Sequence, residues 1–145
     1  MENKVTILGS GTSTGVPILG CSCKICQSSS VKNKRCRTSI LITSSPKNKT
    51  SKKILIDTTP DLRTQLLREN ISHIDAAVIT HEHADHTHGI DDLRAFCFWR
   101  KDEFPIYTSR TCLDELERKF PYIFKRKEHF KGKKILGGGI PMLKS

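Results

Sequence analysis

No stretch of this sequence stays apolar over the roughly 20 residues that a transmembrane helix needs. Residues 1–8 also lack the basic segment followed by an apolar segment that marks a secretory signal peptide. The first absence excludes membrane-spanning proteins, and the second gives no sign of secretion. We therefore expect a cytoplasmic protein with no membrane partner.

The sequence is also poor in residues that build a large core. Only 36% of it is hydrophobic and 6% aromatic, which is little for a chain that must bury a self-sufficient core. No internal repeat or linker divides it, so we expect one domain over residues 1–145. Residues 137–145 form a glycine turn followed by apolar residues without a closing strand. From this ending we expect a domain truncated at its C-terminus.

Acidic residues are scarce relative to basic ones, at 15 Asp and Glu against 25 Lys and Arg, and the formal net charge is +10. The basic residues concentrate in a lysine loop at residues 47–53 and in a stretch from residue 118 to residue 134. Such runs attract phosphate-bearing partners, including RNA. A solvated lysine-rich surface explains them equally well.

Nucleotide-binding glycine motifs are missing. Residues 9–15 are rich in glycine and follow an apolar segment, but they lack the G-K-[ST] ending of a P-loop and the G-x-G-x-x-G spacing. We expect a tight turn there that brings backbone near an active site.

The six cysteines are expected to be thiols or metal ligands, because disulfides are rare in the cytosol. Cys21, Cys23 and Cys26 form a C-x-C-x-x-C pattern in which three thiolates can share one tetrahedral zinc ion. A fourth ligand is then needed, and Cys36 is an alternative within the chain. A reduced, metal-free thiol cluster is the competing interpretation. The two remaining cysteines, at positions 97 and 112, are predicted to be packing residues.

Strands and helices are predicted to alternate along the chain. Hydrophobic patterns predict strands at residues 5–8, 38–43, 53–57, 76–80 and 106–108, with the second and third forming a hairpin. Helices are predicted at residues 62–69, 91–99 and 111–120, the last opened by a threonine cap. In the first helix, Leu62, Leu66 and Leu67 are expected on one buried face. Asp61 and Arg63 are expected to form at most a local ion pair.

The most informative segment is Thr-His-Glu-His-Ala-Asp-His at residues 80–86, directly after an apolar strand. A helical H-E-x-x-H zinc motif is absent. Imidazole nitrogen and carboxylate oxygen suit Zn²⁺ and also Mn²⁺ or Fe²⁺. His81 and His83 can face one ion, and Asp85 and His86 can reach a second. The competing interpretation is a histidine-rich surface turn. Asp57 ends another apolar strand, where a buried carboxylate needs a partner.

The H-x-H-x-D-H spacing of this segment resembles the signature of the metallo-β-lactamase-fold hydrolases. Segments at residues 9–17, 21–26, 55–63 and 89–94 resemble the branch containing the carbon–phosphorus lyase accessory phosphodiesterase, which cleaves a cyclic phosphoribosyl phosphate. The resemblance implies the N-terminal half of an αββα sandwich, an α/β fold with a mixed sheet and flanking helices. The metal ligands that this family places in the second half have no counterpart in the sequence.

The resemblance also implies roles for individual residues. His81, His83, Asp85 and His86 would bind two Zn²⁺ or Mn²⁺ ions, and Asp57 would support the histidines from behind. Asp85 would be the catalytic residue, because it would both bind the second ion and orient a metal-bound hydroxide. The cysteine cluster would hold a separate structural zinc whose fourth ligand is a histidine further along the family's chain.

The expected function is metal-dependent hydrolysis of small cyclic or nucleotide phosphodiesters. One alternative is an endoribonuclease of the tRNA 3′-end-processing type, which the basic charge favours. Another is an inactive, truncated remnant of a metal hydrolase, because half of the ligands are missing. A homodimer is compatible with either enzyme interpretation.

Overall fold

The computed structural model describes residues 2–47, 50–100 and 104–124, and in this part of the chain five strands form one sheet in the order β1-β2-β3-β4-β5. Strand β1 (Glu2–Gly9) pairs antiparallel with β2 (Ser39–Ser45), which forms an antiparallel hairpin with β3 (Lys52–Ile56). Strands β4 (Ala76–Val78) and β5 (Ile106–Tyr107) then add in parallel. The predicted mixed sheet is therefore confirmed.

Five α-helices lie between and after the strands in the described ranges. They are α1 (Leu62–Arg68), α2 (Ala84–Thr87), α3 (Arg94–Arg100), α4 (Arg110–Lys119) and α5 (Pro121–Phe124). Two 3-10 turns, Val31–Asn33 and Ile90–Leu93, complete the regular structure. None of the described helices combines the length and the hydropathy that a membrane span requires.

The core lies on the face of the sheet that the helices cover. One row across the strands consists of Leu41, Leu55, Ala77 and Ile106, all buried and in register. The helices pack leucines onto this row, including the fully buried Leu62 of α1. Burial of such side chains is the main stabilising contribution, at roughly 1.5–3 kcal/mol for each.

The opposite face of the sheet is apolar but open in the described structure. Val5, Ile42 and Ile54 form one cross-strand row, and Ile7 begins a second. Val5 is 59% exposed and Ile7 is 64% exposed. In a sandwich, this is the face on which a second sheet packs.

Helix α1 departs from its predicted buried face. Leu67 is 59% exposed, whereas Gln65 is buried together with Leu62 and Leu66. Positions 62, 65 and 66 follow the i, i+3, i+4 spacing of one helix face, which residue 67 leaves. The prediction for Leu67 was wrong because Gln65, a polar residue, occupies the core position.

Two helix starts also differ from prediction. Helix α4 begins one residue earlier than expected, with Ser109 and not Thr111 as its cap, since the Ser109 side chain accepts a hydrogen bond from the Cys112 amide at 3.3 Å. The predicted helix at residues 91–99 starts as a 3-10 turn and becomes α-helical only at Arg94. The predicted ending at residues 137–145 and the basic stretch beyond residue 124 lie outside the described residues.

Candidate metal centre at the end of strands β3 and β4

The residues at positions 80–86, here called the histidine loop, leave the sheet at the carboxyl end of β4. The Ile79 amide still donates to the Tyr107 carbonyl of β5 at 2.9 Å. The next amide, that of Thr80, donates to the Asp57 side chain at 2.8 Å. The strand therefore ends earlier than the predicted residue 80, because a side-chain acceptor replaces the neighbouring strand.

Asp57 follows β3, the parallel neighbour of β4, so the two chain segments meet at the same edge of the sheet. Its side chain is buried, with the residue 4% exposed, and its backbone has a φ of 63°. The carboxylate accepts from the Thr80 hydroxyl at 2.9 and 3.0 Å and lies 2.8 Å from Nδ1 of His86. This carboxylate therefore holds both ends of the histidine loop.

These contacts orient two imidazoles. A carboxylate can only accept, so His86 Nδ1 donates to Asp57, and in the neutral ring the lone pair is then on Nε2. His81 Nδ1 lies 2.9 Å from the Thr80 hydroxyl. Because that hydroxyl donates to Asp57, it can only accept from His81, and the Nε2 of His81 is also left as a lone-pair donor. Both rings are thus held in the tautomer that a metal ion requires.

The ligand-type side chains of the loop lie close in pairs, but no three of them bring their ligand atoms within 4.8 Å of one another. The rings of His81 and His83 have centroids 4.8 Å apart, and those of His81 and His86 are 4.1 Å apart. Asp85 Oδ2 lies 3.2 Å from His86 Nε2. Two ligands about 2.1 Å from one tetrahedral ion are separated by about 3.4 Å, so Asp85 and His86 fit one ion. Their role as ligands stays a prediction.

The backbone beneath the loop is held by a dense set of hydrogen bonds. The Thr58 amide donates to the His86 carbonyl at 2.8 Å, and the Gly89 amide donates to the Thr58 carbonyl at 2.9 Å. A Cβ at Gly89 would lie 2.0 Å from the Thr59 carbonyl oxygen, so only glycine allows this approach. On β2, the buried Ser39 hydroxyl lies 3.1 Å from the Asp57 carbonyl oxygen.

Helix α4 also contacts the loop. Lys119 Nζ donates to the Glu82 carbonyl at 2.6 Å. A hydrogen bond from its own backbone lowers the pKa of the Glu82 carboxyl below its usual value.

Thr80, Ser39 and Lys119 are the supporting residues that sequence reasoning missed. Thr80 adjoins the motif, and its position between a strand and the first histidine is the signal that could have found it. Ser39 is a polar residue at a buried position of β2, two residues before Leu41. Nothing in the sequence near Lys119 connects it with a loop 37 residues earlier.

The cysteine cluster is a second candidate metal site. The Sγ atoms of Cys21, Cys23 and Cys26 lie within 4.8 Å of one another, and this is the one such group of three ligand atoms among the described residues. A backbone hydrogen bond from Cys26 and side-chain hydrogen bonds from the other two thiols lower the pKa of Cys23 to about 7. Thiolates of this kind favour zinc.

Cys36, the alternative fourth ligand, lies elsewhere. Its Sγ is 3.9 Å from a guanidinium nitrogen of Arg68 and does not belong to the group of three. Cys97 and Cys112 are each 1% exposed, which confirms them as packing residues. The three-thiolate group therefore needs a donor from outside the described cysteines.

The expected Asp61–Arg63 pair was wrong. Asp61 accepts instead from Arg37, through its guanidinium at 2.9 Å and its amide at 2.8 Å. The pair joins the start of α1 to the segment before β2, and it fixes tertiary structure beside the Asp57 turn.

Comparison with known families gives a match that covers more than half of the chain. A family model described as the beta-lactamase superfamily domain matches residues 52–138, a range that includes Asp57 and the whole histidine loop.

Three solved structures resemble the chain. A crystal structure titled as a new diphosphatase from the PhnP family is 44% identical, with a TM-score of 0.75 over 84% of this chain and 47% of that protein. Zn²⁺-bound PqqB from Methylobacterium extorquens is 26% identical, with a TM-score of 0.64 over 82% of this chain and 41% of that one. Human tRNase Z, short form, is 21% identical with a TM-score of 0.54, over 83% of this chain and 40% of that one, and shows the fold alone.

A curated relative, from Porphyromonas gingivalis (strain ATCC BAA-308 / W83), carries the name octanoyltransferase. It is 45% identical over 138 residues, which is 95% of this chain but 25% of that protein. The chain thus spans about half of the PhnP-family structure and a quarter of the curated relative.

Proposed function

The chain belongs to the beta-lactamase superfamily, and from this premise we propose that it supplies part of the active site of a metal-dependent hydrolase acting on phosphodiester bonds. One observation carries the proposal: the buried Asp57 orients the Nε2 atom of His86 towards Asp85, 3.2 Å away. A surface turn of histidines would not need a buried carboxylate behind it.

The donor set fits zinc or manganese. In this proposal His81 and His83 would hold one ion, and Asp85 and His86 would hold the other. Such ions would lower the pKa of a bound water to about 7 and would neutralise phosphate oxygens. Asp57 accepts a hydrogen bond from His86 Nδ1, and Asp85, the catalytic residue, would orient the attacking water. Two complete coordination shells would need further donors besides these four.

Two features support a phosphorus-containing substrate. The PhnP-family structure, which is 44% identical, is titled a diphosphatase. The net charge of +10 attracts anionic substrates over distance. Hydrolysis of a small phosphodiester and of a diphosphate both require attack of water at phosphorus, so the same donors serve either substrate.

RNA 3′-end cleavage is the second candidate. The basic charge of the chain favours it, because neutralising several phosphates along a strand needs many cations. The likeness to human tRNase Z shows the fold and adds no support for this activity. Acyl transfer is not proposed, since three quarters of the protein named octanoyltransferase lies outside the match.

We also propose a structural zinc ion at Cys21, Cys23 and Cys26, separate from the histidine loop. The spacing of the three Sγ atoms supports it, because thiolates about 2.3 Å from one tetrahedral ion lie about 3.8 Å apart. A fourth ligand closes the tetrahedron and comes from outside this group.

The test is hydrolysis of a chromogenic phosphodiester and of a nucleoside diphosphate with added Zn²⁺ or Mn²⁺. Asp85→Ala and His83→Ala should lower turnover by at least about 100-fold and lower the metal content of the protein. His73→Ala is the matched control, because His73 is half exposed and lies 3.4 Å from Asp75, not in the loop. Turnover by either loop variant at the rate of the wild-type protein would contradict the proposal.

A further inference from the structure

A basic cleft separate from both candidate metal sites lies beside the start of α1. Its cavity of about 560 Å³ is lined by Lys34, Arg35, Arg37 and Arg68, together with Thr14 and Thr64. A neighbouring cavity of about 340 Å³ shares Lys34, Arg35 and Arg68 and adds Lys32. Five basic residues therefore line these two neighbouring cavities.

Only part of this positive charge is neutralised by the fold. Arg37 is paired with Asp61, the one carboxylate that lines the described cleft. Arg68 is paired with Glu69 and also donates to the Leu8 carbonyl at 2.6 Å. These two arginines are structural residues, and their removal would disturb the fold.

Lys34 and Arg35 are different. Both are exposed, and no carboxylate among the described residues pairs with either one. Arg35 donates from Nε to the Lys32 carbonyl at 3.1 Å, which directs its guanidinium without neutralising it. Its backbone is held by two hydrogen bonds with Val16, so the side chain projects from a fixed strand-like segment. The pair is thus positioned to bind an anion.

The cleft also has an apolar part. Leu19 is 98% exposed and Val31 is 82% exposed, and both line the cavity with Val16 and Pro17. A phosphate has more acceptor oxygens than a carboxylate, so it can accept hydrogen bonds from both cations at once. A nucleoside attached to that phosphate would cover the exposed apolar side chains.

We propose that this cleft binds the phosphate group of a nucleotide, whether free or part of an RNA strand. No residue of the histidine loop and none of Cys21, Cys23 and Cys26 lines either cavity, so binding here needs no metal ion. The proposal is therefore independent of the proposed hydrolysis, and it can be tested without turnover.

The test measures binding of fluorescently labelled single-stranded RNA in the presence of a metal chelator, with adenosine monophosphate and inorganic phosphate as competitors. The double variant Lys34→Glu/Arg35→Glu should weaken RNA binding on the order of tenfold and reduce the slope of affinity against salt by about 1.4 for two lost contacts. The matched control, Lys4→Glu/Arg94→Glu, makes the same charge change at an exposed lysine and an exposed arginine outside both cavities and outside the lysine loop.

The competitors separate the two sources of the phosphate. If the mononucleotide displaces the labelled RNA, a free nucleotide is sufficient for binding in the cleft. If the RNA binds and the mononucleotide does not displace it, the cleft needs an RNA strand. Either result supports the proposal. Equal losses in both double variants would overturn the proposal, because they would show general charge attraction. Absence of binding, or equally tight binding of an acidic peptide, would overturn it too. Thermal unfolding of each variant establishes that it is folded.

Discussion

Replacing Asp57 by asparagine tests the link between the fold and the candidate metal site. Asparagine keeps the shape of the side chain and tolerates the positive φ of 63° at this position. It removes one acceptor and puts an amide donor close to His86 Nδ1, which lies 2.8 Å from the carboxylate in the wild type. The His86 ring must then move its proton to Nε2 or lose the hydrogen bond.

The expected losses of stability and of metal affinity can both be estimated. A hydrogen bond to a charged group contributes about 1.5–3 kcal/mol, and Asp57 is 4% exposed, so solvent does not replace it. We expect Asp57→Asn to lower the free energy of unfolding by about 2 kcal/mol. A protonated Nε2 cannot bind a metal ion, and loss of such a supporting carboxylate typically weakens metal binding by about 10–100-fold.

The assay is zinc competition against a chromogenic chelator, together with denaturant unfolding. It is carried out in a background with serine at positions 21, 23 and 26, so that zinc reports on the histidine loop alone. Asp61→Asn is the matched control, since it removes a carboxylate that pairs with Arg37 but does not touch the loop. The control should lose stability and keep its zinc affinity. Unchanged zinc affinity in Asp57→Asn would refute the assigned orientation of His86.

Three further changes test neighbouring features. Gly89→Ala should lower the free energy of unfolding by about 1–3 kcal/mol, because the new Cβ meets the Thr59 carbonyl; denaturant unfolding measures this, and an unchanged midpoint would contradict the packing. Burial and the hydrogen bond from its hydroxyl to Asp91 raise the pKa of Tyr122 to about 12. Because this folded-state pKa lies above the unfolded value of about 10, the contact stabilises the fold fully below pH about 10, and the stabilisation is lost as the pH rises through 12. Asp91→Asn should return the phenol pKa towards its usual value in an ultraviolet titration, and no change would disprove the coupling. Hydrogen bonds within the cysteine cluster lower the pKa of Cys23 to about 7. The rate of alkylation of the zinc-free protein should therefore rise with a midpoint near pH 7, and Cys23→Ser should remove this phase. A midpoint at the ordinary pKa of a thiol would contradict the lowered pKa.

The sequence predicts the parts of the site that are local in the chain. The histidine motif follows a short apolar strand and was expected to bind metal, and Asp57 follows another strand and was expected to support the histidines. Their meeting requires that β3 and β4 be parallel neighbours, which hydrophobic strand patterns alone do not predict. The family resemblance implied the meeting, because it placed Asp57 behind the histidines.

Interactions between distant residues could not be predicted. Arg37 pairs with Asp61 across 24 positions, and Lys119 reaches the Glu82 carbonyl across 37. Both are lysine or arginine side chains in a chain with 25 of them, so composition gives no reason to choose these two. Gln65 was missed for a related reason, since periodicity assigns buried helix positions to apolar residues and here a polar one donates to the Arg37 carbonyl at 2.8 Å.

Support of the candidate site comes mainly from β2 and the end of β3. Asp57 and Thr58 contact the histidine loop directly, and the Ser39 hydroxyl of β2 contacts the Asp57 carbonyl in turn. Lys119 of α4 contacts the loop backbone at the Glu82 carbonyl. Side chains held by such packed neighbours keep the geometry that metal binding needs. Zinc binding by the loop should therefore depend strongly on Asp57 and weakly on the surface residues around it, which the paired asparagine variants measure directly.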